Sequence, residues 1–147
     1  MKVTVLAVGH RMPAWIQEGF TEYTRRMPPE VRVELVELKP GKSKADEGQA
    51  ILDAVPARAT LLALDERGKG VTTQGLSVML SEWMRDATQP CFAIGGADGL
   101  SDEVKQRASK LISLSALTLP HQLVRVVLAE QLYRAWSILA RHPYHRE

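Results

Sequence analysis

Apolar positions along the chain alternate between short strand-like runs and helical stripes. Lys2 to Val8 is an apolar run that stops at Gly9, and Pro13 then opens a stripe of Ile16, Phe20, Tyr23 and Met27 that Pro28-Pro29 ends. The first pattern predicts a strand and the second a helix. Val31 to Leu38 reads as a strand with Val31, Val33 and Leu35 on one side, and a weaker helix is predicted from about Lys44 to Val55. Residues 59–64 (ATLLAL) are apolar without alternation, as in a strand covered on both faces. Thr72 or Thr73 can cap a helix with Leu76, Met79, Leu80 and Trp83 on its core stripe, and Pro90 starts another buried strand that runs into Gly95-Gly96-Ala97-Asp98-Gly99. Ser101 caps a helix with Asp102 and Glu103 in its first turn and Lys110 in its last. A short strand over Leu111 to Leu114 and a long helix from His121 to Arg141 complete the pattern.

Five strands alternating with five helices give an α/β class with a mainly parallel sheet and helices on both faces. The turns after Leu64, Ile94 and Leu114 all fall at carboxyl ends of strands, where open α/β sheets hold their ligands. With 147 residues, 45% of them hydrophobic and 24% charged, the chain is expected to form one domain, without linker or repeat. Cys91 is the single cysteine and the apolar run Val3 to Val8 is too short for a leader or a membrane span, so a soluble cytoplasmic protein is expected.

The net charge of +2 is too small to announce a nucleic-acid binder by bulk charge alone, but its distribution is uneven. From His121 onward there are four arginines (Arg125, Arg134, Arg141, Arg146) and only two glutamates, and Lys39-Pro40-Gly41-Lys42-Ser43-Lys44 contains no acid. Such local patches suit phosphates, and solvated surface charge is the competing explanation. Arg125 stands out because a cation near a helix N-terminus opposes the helix dipole and calls for a partner.

Nucleotide fingerprints are absent, as is the G-x-S-x-G nucleophile elbow. No metal is expected, since His142 and His145 lie in a tail without a cysteine or acid at ligand spacing. The segment SLSALTLP (113–120) offers mostly backbone N–H and C=O groups, which suits a neutral heteroaromatic ring in an apolar slot; a buried connector is the alternative. The final helix is apolar nearly all round, so it is either covered twice within one chain or forms a dimer interface, the second being favoured in so short a chain.

The segments LDERGKG (64–70), FAIGGADG (92–99) and SLSALTLPHQLVRVVLAEQLYRAWSILARHPYHR (113–146), with AVGHRMPAW at 7–15, closely resemble the bacterial large-subunit ribosomal RNA pseudouridine N3-methyltransferases, small members of the SPOUT class. The resemblance covers the whole chain. It implies an α/β fold with a C-terminal deep trefoil knot over about 64–147, a homodimer, and S-adenosylmethionine held by the knot loops. Carried over residue by residue, the cofactor loops are Leu64, Gly95 and Gly96, and Leu114, Ser115, Ala116, Leu117, Thr118 and Leu119. It implies a substrate in a 23S rRNA stem-loop of the assembled 70S ribosome, with no role for a membrane. Where the family pattern has Pro-Glu, this chain has Ala97-Asp98, a carboxylate one methylene shorter, and the stretch from Val55 to Thr60 is shorter than in relatives.

A methyl acceptor at an imide nitrogen must be positioned and deprotonated. The candidate catalytic residues are His145 and Asp98 for the base, with Arg125 and Arg146 stabilising the anion; Arg134, Tyr144 and Arg146 are candidate RNA contacts. A tail that reaches a partner's cofactor loop is the natural corollary. Two other classes fit parts of the pattern. A flavodoxin-like nucleotide-binding protein needs a better phosphate loop than Val8-Gly9-His10-Arg11-Met12-Pro13, and a non-catalytic ribosome-binding dimer would share the basic tail without binding S-adenosylmethionine.

Overall fold

The computed structural model describes residues 1–146. Five strands form one wholly parallel sheet in the order β2-β1-β4-β3-β5: β1 (Lys2–Val8), β2 (Arg32–Leu38), β3 (Ala59–Gly70), β4 (Gln89–Ile94) and β5 (Lys110–Ser113). Five helices connect and follow them: α1 (Ala14–Thr24), α2 (Lys44–Ala54), α3 (Thr73–Arg85), α4 (Asp102–Arg107) and α5 (His121–Leu139). The expected class and alternation are present.

The interior strand β1 shows why both faces are covered. Val3, Val5 and Ala7 face a core shared with Phe20 of α1, Leu76 and Leu80 of α3, and Leu128 and Leu132 of α5. Leu6 and Val8 face the other core, shared with Ile51 of α2 and Val104 of α4. A strand buried on both sides has no polar face to alternate with, which is the run-like pattern of its sequence. The edge strand β2 does alternate, with Arg32, Glu34 and Glu37 exposed.

The starts of α3 and α4 follow the predicted caps, and α2, for which the sequence pattern names no cap, is capped by Ser43 in the same way. Ser43, Thr72 and Ser101 accept amide hydrogens from Asp46, Gly75 and Val104, each satisfying one otherwise unpaired helix-start N–H. Helix ends differ from expectation. The α4 helix stops at Arg107, so Lys110 begins β5 and the cations of its last turn are Lys105 and Arg107. The α5 helix ends at Leu139 because Arg141 takes φ +57° and the His142 amide returns to the Ser137 carbonyl at 2.8 Å. The third strand departs most. It continues past Leu64 to Gly70, with residues 65–68 bulging out before Lys69 and Gly70 rejoin β5 opposite Ile112 and Ser113. Gly68 permits this, since a Cβ there would lie 2.7 Å from the Leu111 carbonyl carbon.

The α5 helix lies between α1 and α3, so one chain already covers much of its apolar surface, with Leu128, Ala129, Leu132 and Ala135 in the core. Leu123, Val127 and Ile138 stay half-buried and Leu139 exposed, as does Trp15 of α1 at 60% exposure. No helix among the described residues is long and apolar enough to cross a membrane.

Arg125 is 1% exposed, and its guanidinium donates to Glu37 Oε2 at 2.6 Å and to the Gly9 carbonyl at 3.0 Å. One side chain of α5 thereby fixes the exits of β1 and β2. Arg125→Ala is expected to lower stability by about 3 kcal/mol, because it empties the enclosed space the side chain fills and leaves the Gly9 carbonyl without its donor. Glu37→Gln should cost less, because that carboxylate is 36% exposed and water replaces part of its role. Denaturant midpoints of the two variants check the order.

Candidate functional site

Because all five strands are parallel, their carboxyl ends share one edge, and a cavity of about 530 Å³ opens there at the exits of β3, β4 and β5. Leu64 and the 65–67 bulge form one wall, Gly95 to Leu100 a second, and Ser113 to Pro120 with His121 and Val124 the third. Of the residues implied by resemblance, Leu64, Gly95, Gly96, Leu114, Ser115, Leu117, Thr118, Leu119 and Asp98 line it. Ala116 does not: it lies in the same loop but off the lining.

Each wall has a local cause. The Gly99 amide closes a tight turn onto the Gly96 carbonyl at 3.0 Å, which leaves Ala97 and Asp98 exposed at its tip and puts Gly99 at φ +81°. A Cβ on Gly95 would lie 2.5 Å from the Gly99 carbonyl carbon, so the turn closes only over glycine. In the third wall, Ser115 Oγ accepts the Leu117 amide and the Ser115 carbonyl accepts the Ser113 hydroxyl. The amides of Thr118 and Leu119 have no backbone partner among the described residues, and Leu117 is 74% exposed. Free backbone donors beside Leu64, Ile94, Ile112 and Leu114 make an apolar slot with hydrogen-bonding edges.

Polar groups line the rim that the sequence had not singled out for the site: Asp65, Glu66, Arg67, Lys44, Lys105 and His121. Their signal was adjacency, since the first three follow Leu64 directly and Lys44 closes the basic stretch. Asp65 and Lys105 pair at 2.8 Å with side chains only 11% and 28% exposed. Burial works against the Asp65 charge, but the Lys105 ammonium and the Arg67 amide outweigh it and hold its carboxyl below the usual range. Glu66 accepts the Thr118 hydroxyl at 3.1 Å, a link between the β3 bulge and the third wall.

The tail residues lie elsewhere. Tyr144 packs on Tyr133 with ring centroids 4.6 Å apart, lies under Arg134 at 4.9 Å, and donates its hydroxyl to Glu130 at 2.7 Å. Burial first, and the Glu130 carboxylate second, raise its pKa, so the phenol stays protonated. Arg134 itself donates to Glu130 Oε2 through both Nε and Nη2. His145 Nδ1 stands 3.1 Å from Ser137 Oγ, whose own hydrogen goes to the Arg134 carbonyl at 2.6 Å. The ring must therefore donate through Nδ1, which leaves Nε2 as its basic nitrogen. Arg146 is exposed.

The structure therefore separates two groups that the sequence analysis had placed in one site. The cavity meets α5 at His121 and Val124, whereas Arg134, Tyr144, His145 and Arg146 gather at its other end, and 19 residues of helix span about 27 Å. Arg125 belongs to neither group. Its expected contact with a reacting anion is corrected by its enclosure, because both ends of the guanidinium are taken by Glu37 and Gly9.

Among the described residues no three His, Cys, Asp or Glu side chains come together as a metal site. Cys91 is buried in β4 and desolvation pushes its thiol up to about 11, the opposite of a nucleophile.

Residues 1–145 match the family described as "Predicted SPOUT methyltransferase". Proteins named ribosomal RNA large subunit methyltransferase H from Burkholderia lata and from Burkholderia cenocepacia are each 56% identical, and one from Paraburkholderia phymatum is 54% identical, with 99% of both chains covered every time. A solved structure of the SpoU methyltransferase AviRb from Streptomyces viridochromogenes in complex with AdoMet is 12% identical, with a TM-score of 0.45 over 91% of this chain and 59% of that one, a likeness too distant to bear on ligand or mechanism. From its near-complete overlap with relatives above half identity, the chain belongs to the SPOUT methyltransferase family and, within it, groups with the ribosomal RNA large subunit methyltransferase H proteins.

Proposed function

We propose that the chain is an S-adenosylmethionine-dependent methyltransferase of 23S ribosomal RNA, and that the atom methylated is N3 of a pseudouridine in a stem-loop of the assembled 70S ribosome in the cytoplasm. The observation that carries the reading is the backbone-edged apolar cavity at three strand exits, set in a chain that matches its relatives from end to end. We read residues 1–147 as one catalytic domain with a trefoil knot over about 64–147. The return of the chain from edge strand β5 to a helix between α1 and α3 is the long back-crossing such a knot needs.

The residues present fit the methyl donor. Leu64, Ile94, Ile112 and Leu114 offer apolar contact to a flat ring, the Thr118 and Leu119 amides offer hydrogen bonds to its edge, and Asp65, Glu66 and Asp98 complement a cationic sulfonium. When bound, that donor supplies an electrophilic methyl whose transfer leaves a neutral thioether. The protein's own task is to hold the acceptor ring in line and take the N3 proton. His145 suits the second role, because Ser137 fixes its tautomer with Nε2 basic. Arg134, Arg146 and the Tyr144 ring suit RNA phosphates and a stacked base. Asp98, at the tip of its turn, is the alternative base.

His145, against Ser137, lies about 20 Å of helix beyond Val124 in the cavity wall of its own chain, and it reaches a cavity only in a second copy. A homodimer packed through α1 and α5, which covers Trp15, Leu123, Val127 and Leu139, brings the tail of one copy to the cavity of the other.

Three outcomes are expected. Labelled methyl from S-adenosylmethionine should appear on one pseudouridine of unmodified 70S ribosomes and far less on free large subunits or bare RNA. No label despite cofactor binding would mean a different substrate. Neither a chain truncated after Arg141 nor Leu114→Arg should be active alone, yet mixing them should restore roughly a quarter of wild-type activity, since half of random dimers are mixed and each holds one intact site. Failure to restore activity places the site within one chain. His145→Ala should lower kcat about 100-fold with cofactor affinity unchanged. Ser137→Ala should lower it less and alter the pH profile of kcat, because the tautomer is no longer fixed. Near wild-type turnover of His145→Ala at neutral pH removes His145 as the base.

A further inference from the structure

The basic stretch from Lys39 to Lys44 gives only Lys44 to the cavity wall. The rest of it is exposed, and the sheet order says what it lies beside. Val8 of β1 pairs with Leu38 of β2, and the Gly9 amide donates to the Leu38 carbonyl at 2.7 Å. The loop that follows β1, with His10 and Arg11 exposed, therefore leaves the sheet one strand spacing, about 4.8 Å, from Lys39. Both loops adjoin residues that touch the glycine turn of the cavity, Val8 at the end of β1 and Glu47 in the first turn of α2: a Cβ on Gly96 would lie 3.2 Å from Val8 Cγ1 and 3.3 Å from Glu47 Oε1.

These two loops hold three formal cations, Arg11, Lys39 and Lys42, and no carboxylate; a fourth, Lys44, follows as the first residue of α2. Of the neighbouring acids, Asp46 is exposed in the first turn of α2, and two others have partners. Glu37 is taken by Arg125, and Glu47 accepts the Gly41 amide at 3.1 Å. None of the four cations forms an ion pair among the described residues. Arg11 is moreover held at φ +55°, a region disfavoured for residues that carry a side chain. An enzyme that works on a base must take it out of its stack, so the backbone on either side of the target has to cross the cavity rim. Cations without an ion pair beside that rim are placed to meet its phosphates.

We infer that the paired loops after β1 and β2 are a phosphate track for the RNA substrate, in which Arg11, Lys39 and Lys42 bind the backbone flanking the target nucleotide and Lys44 marks the junction with the cavity. The inference rests on the RNA-methyltransferase reading above. It assigns RNA contact to the end of the molecule opposite the tail of the same chain, so an RNA strand is gripped on both sides of a cavity completed by a partner's tail.

The test is the triple variant Arg11→Gln, Lys39→Gln, Lys42→Gln, none of which lines the cavity. Its binding to unmodified ribosomes is compared with wild type by sedimentation from about 50 to about 200 mM salt. Binding should weaken at least tenfold, and the slope of log K against log salt should become shallower by about two, the value for three lost single-strand phosphate contacts. Thermal stabilisation by S-adenosylmethionine should not change, and Lys39→Arg with Lys42→Arg should bind as wild type does. Equal affinity and equal slope in the triple variant overturn the track. Tighter binding of wild type to phosphatidylserine vesicles than to ribosomes overturns RNA as the occupant. Wild type that binds ribosomes but transfers no methyl defeats the enzymatic reading alone, since the salt slope still decides the track.

Discussion

A charged side chain enclosed in a protein interior must have its hydrogen bonds met, and in this molecule that requirement ties three elements together. Arg125 sits in the second turn of α5 and finds its acceptors on the last turn of chain after β1 and near the end of β2. No apolar contact could impose the same precision, because van der Waals packing tolerates sliding and a forked donor does not. The consequence reaches the cavity. Val124, the residue before Arg125, lines it, and the loop that supplies the third wall ends four residues earlier at Pro120. Fixing Arg125 fixes the helix start, the loop before it and the two strand exits beside it in one frame.

The sequence made the elements legible wherever the information was local. Thr72 and Ser101 mark helix starts through a hydrogen bond three residues long, and the doubly buried β1 declares itself by losing alternation. The end of β3 was illegible because Asp65-Glu66-Arg67-Gly68 reads as a turn, and what returns Lys69 and Gly70 to the sheet is pairing with β5 some 40 residues later. Helix ends at Arg107 and Leu139 were missed for a related reason. Neither has the glycine that usually signals a stop, and Arg141 takes the left-handed conformation itself. The partner of Arg125 was foreseen as a need; that it was Glu37, 88 residues away, was not.

The candidate site divides in the same way. Leu64, Gly95, Gly96 and the 114–119 loop were legible because strand exits of a parallel sheet converge by topology alone. The distance between the cavity and the tail was not, since it depends on α5 running unbroken for 19 residues before the chain turns back on it. A helix of that length is a ruler. It converts two neighbouring motifs in sequence into two separate stations in space, and any chemistry needing both must draw them from different copies.

Charge is distributed to match. The slot between Leu64, Ile94 and Leu114 is apolar with backbone donors at its edge, and the charged groups sit on its rim or beyond it. Inside, Leu64, Ile94 and Leu114 give the slot apolar walls; outside, Lys39, Lys42 and Arg11 form no ion pair among the described residues, and Glu37 is paired with Arg125. The Arg125 pair thus acts twice, since the guanidinium that holds the frame also pairs the carboxylate at the end of β2 that stands nearest Lys39 in the sequence. A net charge of +2 is then no argument against a polyanionic partner, because the molecule needs its cations in one place and not in excess.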